Sequence, residues 1–261
     1  LRFPADNHPI AGHGPRNHLL MAQGATTTAE SMSLICEKLT FTYPAKEAPI
    51  LAQVSFQLIT PGFHSFFGPS GAGKTTLAKI ITGELHDYTG QLITNGLDRI
   101  LYSHNKERLP GWSSVDHHLS KVITPSLLPE KDKLVDLFGL ADCVNARFDQ
   151  LSMGQQNRVN LIRYLLQDCD LLIMDESLAN VDELTRETII LSLKEMFPAR
   201  YFIYISHNAR EVAKFCDSIL VFQGSNQVHA PRMLQGCNVR TNTERNSAEL
   251  DAVLLEIMNA A

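Results

Sequence analysis

The 261-residue chain lacks four things, and each lack removes a class of protein. It has no Cys-x-x-Cys pair. Its five cysteines, Cys36, Cys143, Cys169, Cys216 and Cys237, are odd in number and scattered, which argues against a disulfide framework or a zinc ribbon and suits a reducing compartment. It has no apolar run approaching the roughly 20 residues of a membrane-spanning helix, so any service to a membrane goes through a partner. It has no basic excess, with 23 Lys and Arg against 28 Asp and Glu and a net charge of −5, so nucleic acid is not a favoured partner. It has neither heptads nor an internal repeat, which removes coiled-coil and solenoid architectures. What remains, 44% hydrophobic and 20% charged, is the composition of a globular protein large enough to bury a full core.

Residues 1–31 have neither helical nor strand periodicity, nor the layout of a signal peptide. They read as a disordered extension or one added for expression, with Met32 a candidate start and His8, His13 and His18 as solvated tail residues. From Leu34 the pattern changes. Leu34–Tyr43 and Val54–Leu58 alternate as strands do, and Phe63–Phe67 is a short apolar strand. A glycine-rich loop and a helix from about 74 to 82 follow, then strands near 91–94 and 100–102. Residues 114–166 read as mostly helical, with breaks at Pro125, Pro129 and Gly139. Beyond them, strands at 171–174, 201–205 and 218–222 alternate with helices at 182–196 and 209–215, and 248–258 has helical spacing. Strands alternating with helices imply a mostly parallel sheet covered on both faces.

Gly68-Pro69-Ser70-Gly71-Ala72-Gly73-Lys74-Thr75 matches G-x-x-x-x-G-K-[ST] and lies between an apolar strand and a helix, the context that marks a phosphate-binding loop. The glycines let successive N–H groups turn toward phosphate, and the helix N-terminus adds partial positive charge. Lys74 then reaches the β- and γ-phosphates of a nucleotide, and the Thr75 hydroxyl ligates Mg²⁺. A glycine-rich turn with a chance lysine is the plain alternative, and the strand-to-helix position opposes it. Downstream, the apolar run Leu171–Met174 delivers Asp175 and Glu176 at a strand's carboxyl end, where open α/β sheets bind ligands. Asp175 is placed to hold Mg²⁺ and Glu176 to polarise an attacking water. Two solvated carboxylates closing a strand would be the competing reading if the loop were absent.

Leu151-Ser152-Met153-Gly154-Gln155-Gln156-Asn157-Arg158 resembles the signature L-S-G-G-Q-x-x-R of the ATP-binding cassette superfamily. With the loop before it and the acidic pair after it, about residues 33–225 are similar to a nucleotide-binding domain of that family. The resemblance implies an α/β fold: a P-loop NTPase (RecA-like) core, an antiparallel β subdomain, and an inserted α-helical subdomain at about 104–165 of a domain spanning 32–261. It implies ATP and Mg²⁺ as cofactors. It gives Tyr43 as the aromatic stacked on adenine, for which a core or edge tyrosine is the bland rival. Gly68, Pro69, Ser70, Gly71, Ala72, Gly73, Lys74, Thr75 and Thr76 become the nucleotide's cradle. Ser152, Gly154 and Gln155, with Asp182 of the Leu178–Asp182 D-loop, would serve the nucleotide across a dimer interface. His207, after the strand at 201–205, would contact the γ-phosphate beside Glu176, the two forming the catalytic pair.

Two positions depart from the family pattern. Met153 stands where glycine is usual and cannot freely take positive φ. Counting back from Leu109-Pro110 puts His104 where the family has a metal-ligating glutamine. Imidazole can ligate a metal, yet Mg²⁺ prefers oxygen, so the loop residue is His104, Asn105, or one in a shifted register.

The resemblance further implies a peripheral subunit on the cytoplasmic face of the inner membrane. Its partners would be a second nucleotide-binding subunit, as homo- or heterodimer, transmembrane permease subunits and a substrate-binding protein, with no nucleic acid. Leu109-Pro110-Gly111-Trp112 resembles the nitrate, sulfonate and taurine importers, and Trp112 fits either a partner's groove or the core. The rival classes are a non-transport ABC ATPase and a low-turnover nucleotide sensor.

Overall fold

The computed structural model describes residues 32–104, 107–224, 229–241 and 247–261. The expected extension 1–31 and the alternative loop residue Asn105 lie outside the described residues. In chain order the strands are β1 (Ser33–Phe41), β2 (Leu51–Leu58), β3 (Gly62–Phe67), β4 (Thr89–Asn95), β5 (Ile100–His104), β6 (Leu171–Asp175), β7 (Tyr201–Ser206), β8 (Ser218–Val221) and β9 (Arg232–Gln235). The helices are α1 (Lys74–Ile81), α2 (Val115–Ser120), α3 (Glu130–Leu137), α4 (Met153–Leu165), α5 (Glu183–Met196), α6 (Ala209–Phe215) and α7 (Ser247–Ala260).

The strands sort into two sheets by sequence pattern. In β2, Leu51, Val54, Phe56 and Leu58 are buried while Gln53, Ser55 and Gln57 face outward, as suits an antiparallel sheet with one face in solvent. It joins a three-stranded antiparallel sheet of order β2-β1-β4. By contrast, β7 is buried at all six positions and β6 at its first four, the signature of strands covered on both faces. They form the centre of a six-stranded sheet of order β5-β6-β7-β3-β8-β9. All its pairings are parallel except β8 with β9, and β9 was not anticipated from its short, exposed sequence.

Because side chains alternate across a strand, this large sheet is the wall between two separate cores. Leu171, Ile173, Tyr201, Ile203 and Ile205 pack with α1 and the antiparallel sheet. Their neighbours Leu172, Met174, Phe202 and Tyr204 pack on the other side with residues of α2 to α7. A P-loop α/β core with an antiparallel subdomain and a helical insertion between β5 and β6 is therefore the chain's fold.

Within the insertion the expected run of helix is divided. Pro129 does not interrupt a helix but precedes α3, a position that needs no N–H, and Gly139 ends that helix at φ +61°. Residues 141–150 contribute only the 3₁₀ turns Ala141–Cys143 and Phe148–Gln150.

Candidate functional site

The glycine-rich loop joins β3 to α1, and its backbone could be made by few other residues. Gly68 has φ +145°, and a Cβ there would lie 2.5 Å from the Phe222 carbonyl oxygen. Gly73 caps α1 at φ +100°, where a Cβ would meet Leu51 Cδ2 at 2.6 Å. Both the angle and the crowding require glycine. Lys74 is only 5% exposed, and its ammonium donates to the carbonyls of Gly68 and Pro69, each at 2.7 Å. Burial lowers its pKa, while the Asp175 and Glu176 carboxylates pull it back up. A cation is thus held inside a ring of backbone, with two carboxylates in reach of its field.

Asp175 closes β6 and is held from two sides. Its Oδ2 accepts from the Thr75 hydroxyl and from the Tyr102 phenol, both at 2.7 Å. Tyr102 was not singled out from sequence. The available signal was its i, i+2 relation to His104, which puts both side chains on one face of β5, while register sets His104 opposite Asp175. Burial, then the bond to Asp175, pushes the Tyr102 phenol far above its ordinary range, so it stays a donor. Tyr102→Phe removes this charge-assisted bond and is expected to lower unfolding free energy by about 1.5 kcal/mol, read from the urea midpoint. A loss under about 0.5 kcal/mol would remove Tyr102 from the support of Asp175.

The next residue, Glu176, adopts φ +53°, a left-handed conformation that non-glycine residues seldom hold. Its amide donates to the Ile205 carbonyl at 3.2 Å, and Oε1 accepts from His207 Nε2 at 2.6 Å. The expected catalytic pair is therefore in direct contact. Behind it, Ser206 Oγ donates to Glu211 at 3.1 Å, and Glu211 pairs with Arg186 at 3.5 Å. Arg186 also donates to the Val181 carbonyl at 3.0 Å, tying 178–182 to the His207 loop. No spacing in the sequence announces that link.

Two adjoining cavities share Thr75, Asp175 and Glu176 as a common wall. One, about 400 Å³, is also lined by Tyr43, Ser70, Lys74 and His207. The other, about 270 Å³, is also lined by Tyr102 and His104. Tyr43 stands on the rim at 37% exposure, its hydroxyl 3.1 Å from Thr76 Oγ1 and its ring edge-on to Phe41. The Thr75 hydroxyl beside the Asp175 carboxylate offers adjacent hard oxygen donors, a set that fits Mg²⁺ next to phosphate.

Ser152, Gly154, Gln155 and Asp182 line neither cavity of their own chain. Ser152 caps α4: its Oγ accepts from the Gln155 amide at 3.3 Å, while Gln155 Oε1 accepts from the Ser152 amide at 2.8 Å. Gln155 Nε2 donates to Cys143 Sγ at 3.1 Å. Gly154 lies against Asn180, where a Cβ would be 3.6 Å away, so signature and D-loop are neighbours. Asp182 caps α5 by accepting from the Thr185 amide at 3.0 Å. Met153 corrects an expectation: it opens α4 and is not among the positive-φ residues, so glycine's backbone freedom is not required there. Its side chain is 59% exposed, with Sδ accepting from Arg108 at 3.0 Å. Trp112 is 78% exposed, which removes the core reading.

The pattern described as ABC transporter matches residues 51–179. The chain is 31% identical over 226 residues to the molybdenum import ATP-binding protein ModC of Saccharophagus degradans, covering 78% of this chain and 60% of that relative. It is 30% identical to the aliphatic sulfonates import ATP-binding protein SsuB of Mycobacterium avium, covering 77% of this chain and 84% of the relative. The taurine import ATP-binding protein TauB of Roseobacter denitrificans is 35% identical, with 66% and 69% covered. The chain thus spans less than two thirds of the molybdenum relative's length and most of the sulfonate relative's. Among solved structures, a bacterial Atm1-family ABC exporter with ATP bound aligns at a TM-score of 0.69 and 19% identity, over 87% of this chain and 42% of that one. That last likeness speaks for the fold alone.

Proposed function

This chain belongs to the ABC transporter family, and from that premise we propose that it binds and hydrolyses ATP to power a membrane transporter, as an importer's nucleotide-binding subunit. The observation that carries the reading is the Glu176–His207 contact at 2.6 Å beside Lys74, all on the wall of one cavity. The names of the molybdenum, sulfonate and taurine relatives support import. Among the described residues no helix is long and apolar enough to cross a membrane.

Mechanistically, Tyr43 offers its ring to adenine while loop amides and the Lys74 ammonium bind the β- and γ-phosphates. Thr75 and Asp175 would hold Mg²⁺, which when bound neutralises developing charge on the phosphate oxygens. Glu176 orients a water for in-line attack and accepts its proton. His207, whose Nε2–H lies against that carboxylate, would turn this donor to the γ-phosphate of a bound nucleotide as the carboxylate engages the water.

Ser152 and Gly154 sit at the start of α4, whose free amides suit an anion, yet they line neither of the two cavities described above. A second copy or a paralogue, packed head to tail, would bring them onto the first subunit's γ-phosphate. ATP then joins the pair and hydrolysis releases it. Such a subunit would work peripherally, at the cytoplasmic face of the membrane. The exposed Met153 favours a second reading, a low-turnover nucleotide sensor in which this side chain keeps the two subunits apart.

The test is phosphate release by purified chain with Mg·ATP, beside recovery of tagged chain from solubilised membranes. Steady turnover and a multi-spanning partner are expected. Failure to bind ATP overturns the whole reading. Binding without turnover favours the sensor, and turnover without a membrane partner removes transport.

A further inference from the structure

We propose that His104 is the residue that sets the choice of divalent cation at this site, and that its nitrogen favours Mn²⁺ over Mg²⁺. The proposal rests on the nucleotide reading above. It starts from placement. His104 closes β5 in register with Asp175, and its ring lies 5.5 Å from that of Tyr102, whose phenol already holds Asp175. His104 lines the cavity of about 270 Å³, and the wall between that cavity and the phosphate-side one is Thr75, Asp175 and Glu176. Lys79 and Glu84 complete the lining on the His104 side, and a cation held by the Thr75 hydroxyl would lie between a bound nucleotide's phosphates and this wall.

The chemistry then decides. Mg²⁺ is small, holds its waters tightly and takes oxygen ligands. Imidazole suits first-row transition-metal ions, and Mn²⁺ is the member of that series that shares the carboxylate and water preference of Mg²⁺. One nitrogen in an otherwise oxygen set tilts the balance without excluding either ion. The protein does not build a resident cage: among the described residues no three His, Cys, Asp or Glu side chains converge to hold a metal. The cation must arrive with the nucleotide, whose phosphates complete the shell. A wall role, with His104 only packed on Tyr102, predicts no such preference.

The experiment uses Mn²⁺ with a non-hydrolysable ATP analogue and reads nitrogen coupling to Mn²⁺ by pulsed electron paramagnetic resonance. Wild type is expected to show coupling to a directly bound imidazole nitrogen. His104→Gln should lose it and His207→Gln should keep it. In parallel, calorimetry gives the analogue's affinity with each cation. The Mn²⁺-to-Mg²⁺ affinity ratio is expected to fall about tenfold in His104→Gln, and an unchanged thermal midpoint shows that this variant folds. Without nucleotide, Mn²⁺ alone should not bind measurably. If the analogue binds wild type but coupling is absent or survives in His104→Gln, the proposal fails while the nucleotide site stands. An unchanged ratio sinks it equally. If the analogue binds with neither cation, the nucleotide reading fails and takes the proposal with it.

Discussion

Glu176→Gln is expected to lower ATP turnover by about 10² to 10⁴-fold while leaving nucleotide affinity close to that of the wild type. The amide has the shape of the carboxylate but cannot take a proton from water. Geometry should survive, because the Gln oxygen can still accept from His207 Nε2, now 2.6 Å from Glu176 Oε1, and the bond from the 176 amide to the Ile205 carbonyl does not involve the side chain. The left-handed backbone at 176 is equally costly for both residues, so stability should hardly move. Single-turnover phosphate release separates chemistry from binding, and gel filtration with ATP reports whether the unhydrolysed state accumulates as a dimer. A turnover loss below about tenfold would strip Glu176 of its role as base.

Lys74→Ala should weaken nucleotide binding and turnover together. Among the described residues the ammonium is the one lysine or arginine head group lining the cavity of about 400 Å³, and removing a buried charged donor to phosphate costs about 3 kcal/mol, or roughly a hundredfold in affinity. Alanine also leaves the Gly68 and Pro69 carbonyls without the donor that now serves them at 2.7 Å. Lys74→Arg keeps a charge and separates that effect from loop collapse: its fork is too wide for a seat shaped around one nitrogen, so affinity should fall while the thermal midpoint holds. Equilibrium binding of a fluorescent ATP analogue checks both variants. Unchanged turnover in Lys74→Ala would end the account of this cradle.

Much of this was legible because local chemistry fixed it. The run from Phe63 to Thr75 carries its own strand, loop and helix, and each element formed where the pattern placed it. The capping box Ser152-x-x-Gln155 was not anticipated although its spacing carries it, and both its reciprocal bonds are present. What could not be read depends on strands meeting from far apart in the chain. Tyr102 serves Asp175, 73 positions away, only because β5 lies beside β6, and the sheet order is not written in either strand. The clamp from Arg186 through Glu211 to Ser206 likewise needs α5 and α6 side by side. Met153 shows the opposite error. A family pattern suggested a backbone demand, while the local helix start makes none.

The alternation of β6 and β7 between two cores carries a thermodynamic consequence. Ile173 and Leu172 are adjacent in sequence yet support opposite halves of the molecule. Local opening of the α1 side can therefore proceed without loosening the packing beneath α2 to α6. Amide exchange should register this as two slowed populations, and added nucleotide should slow the α1 side further.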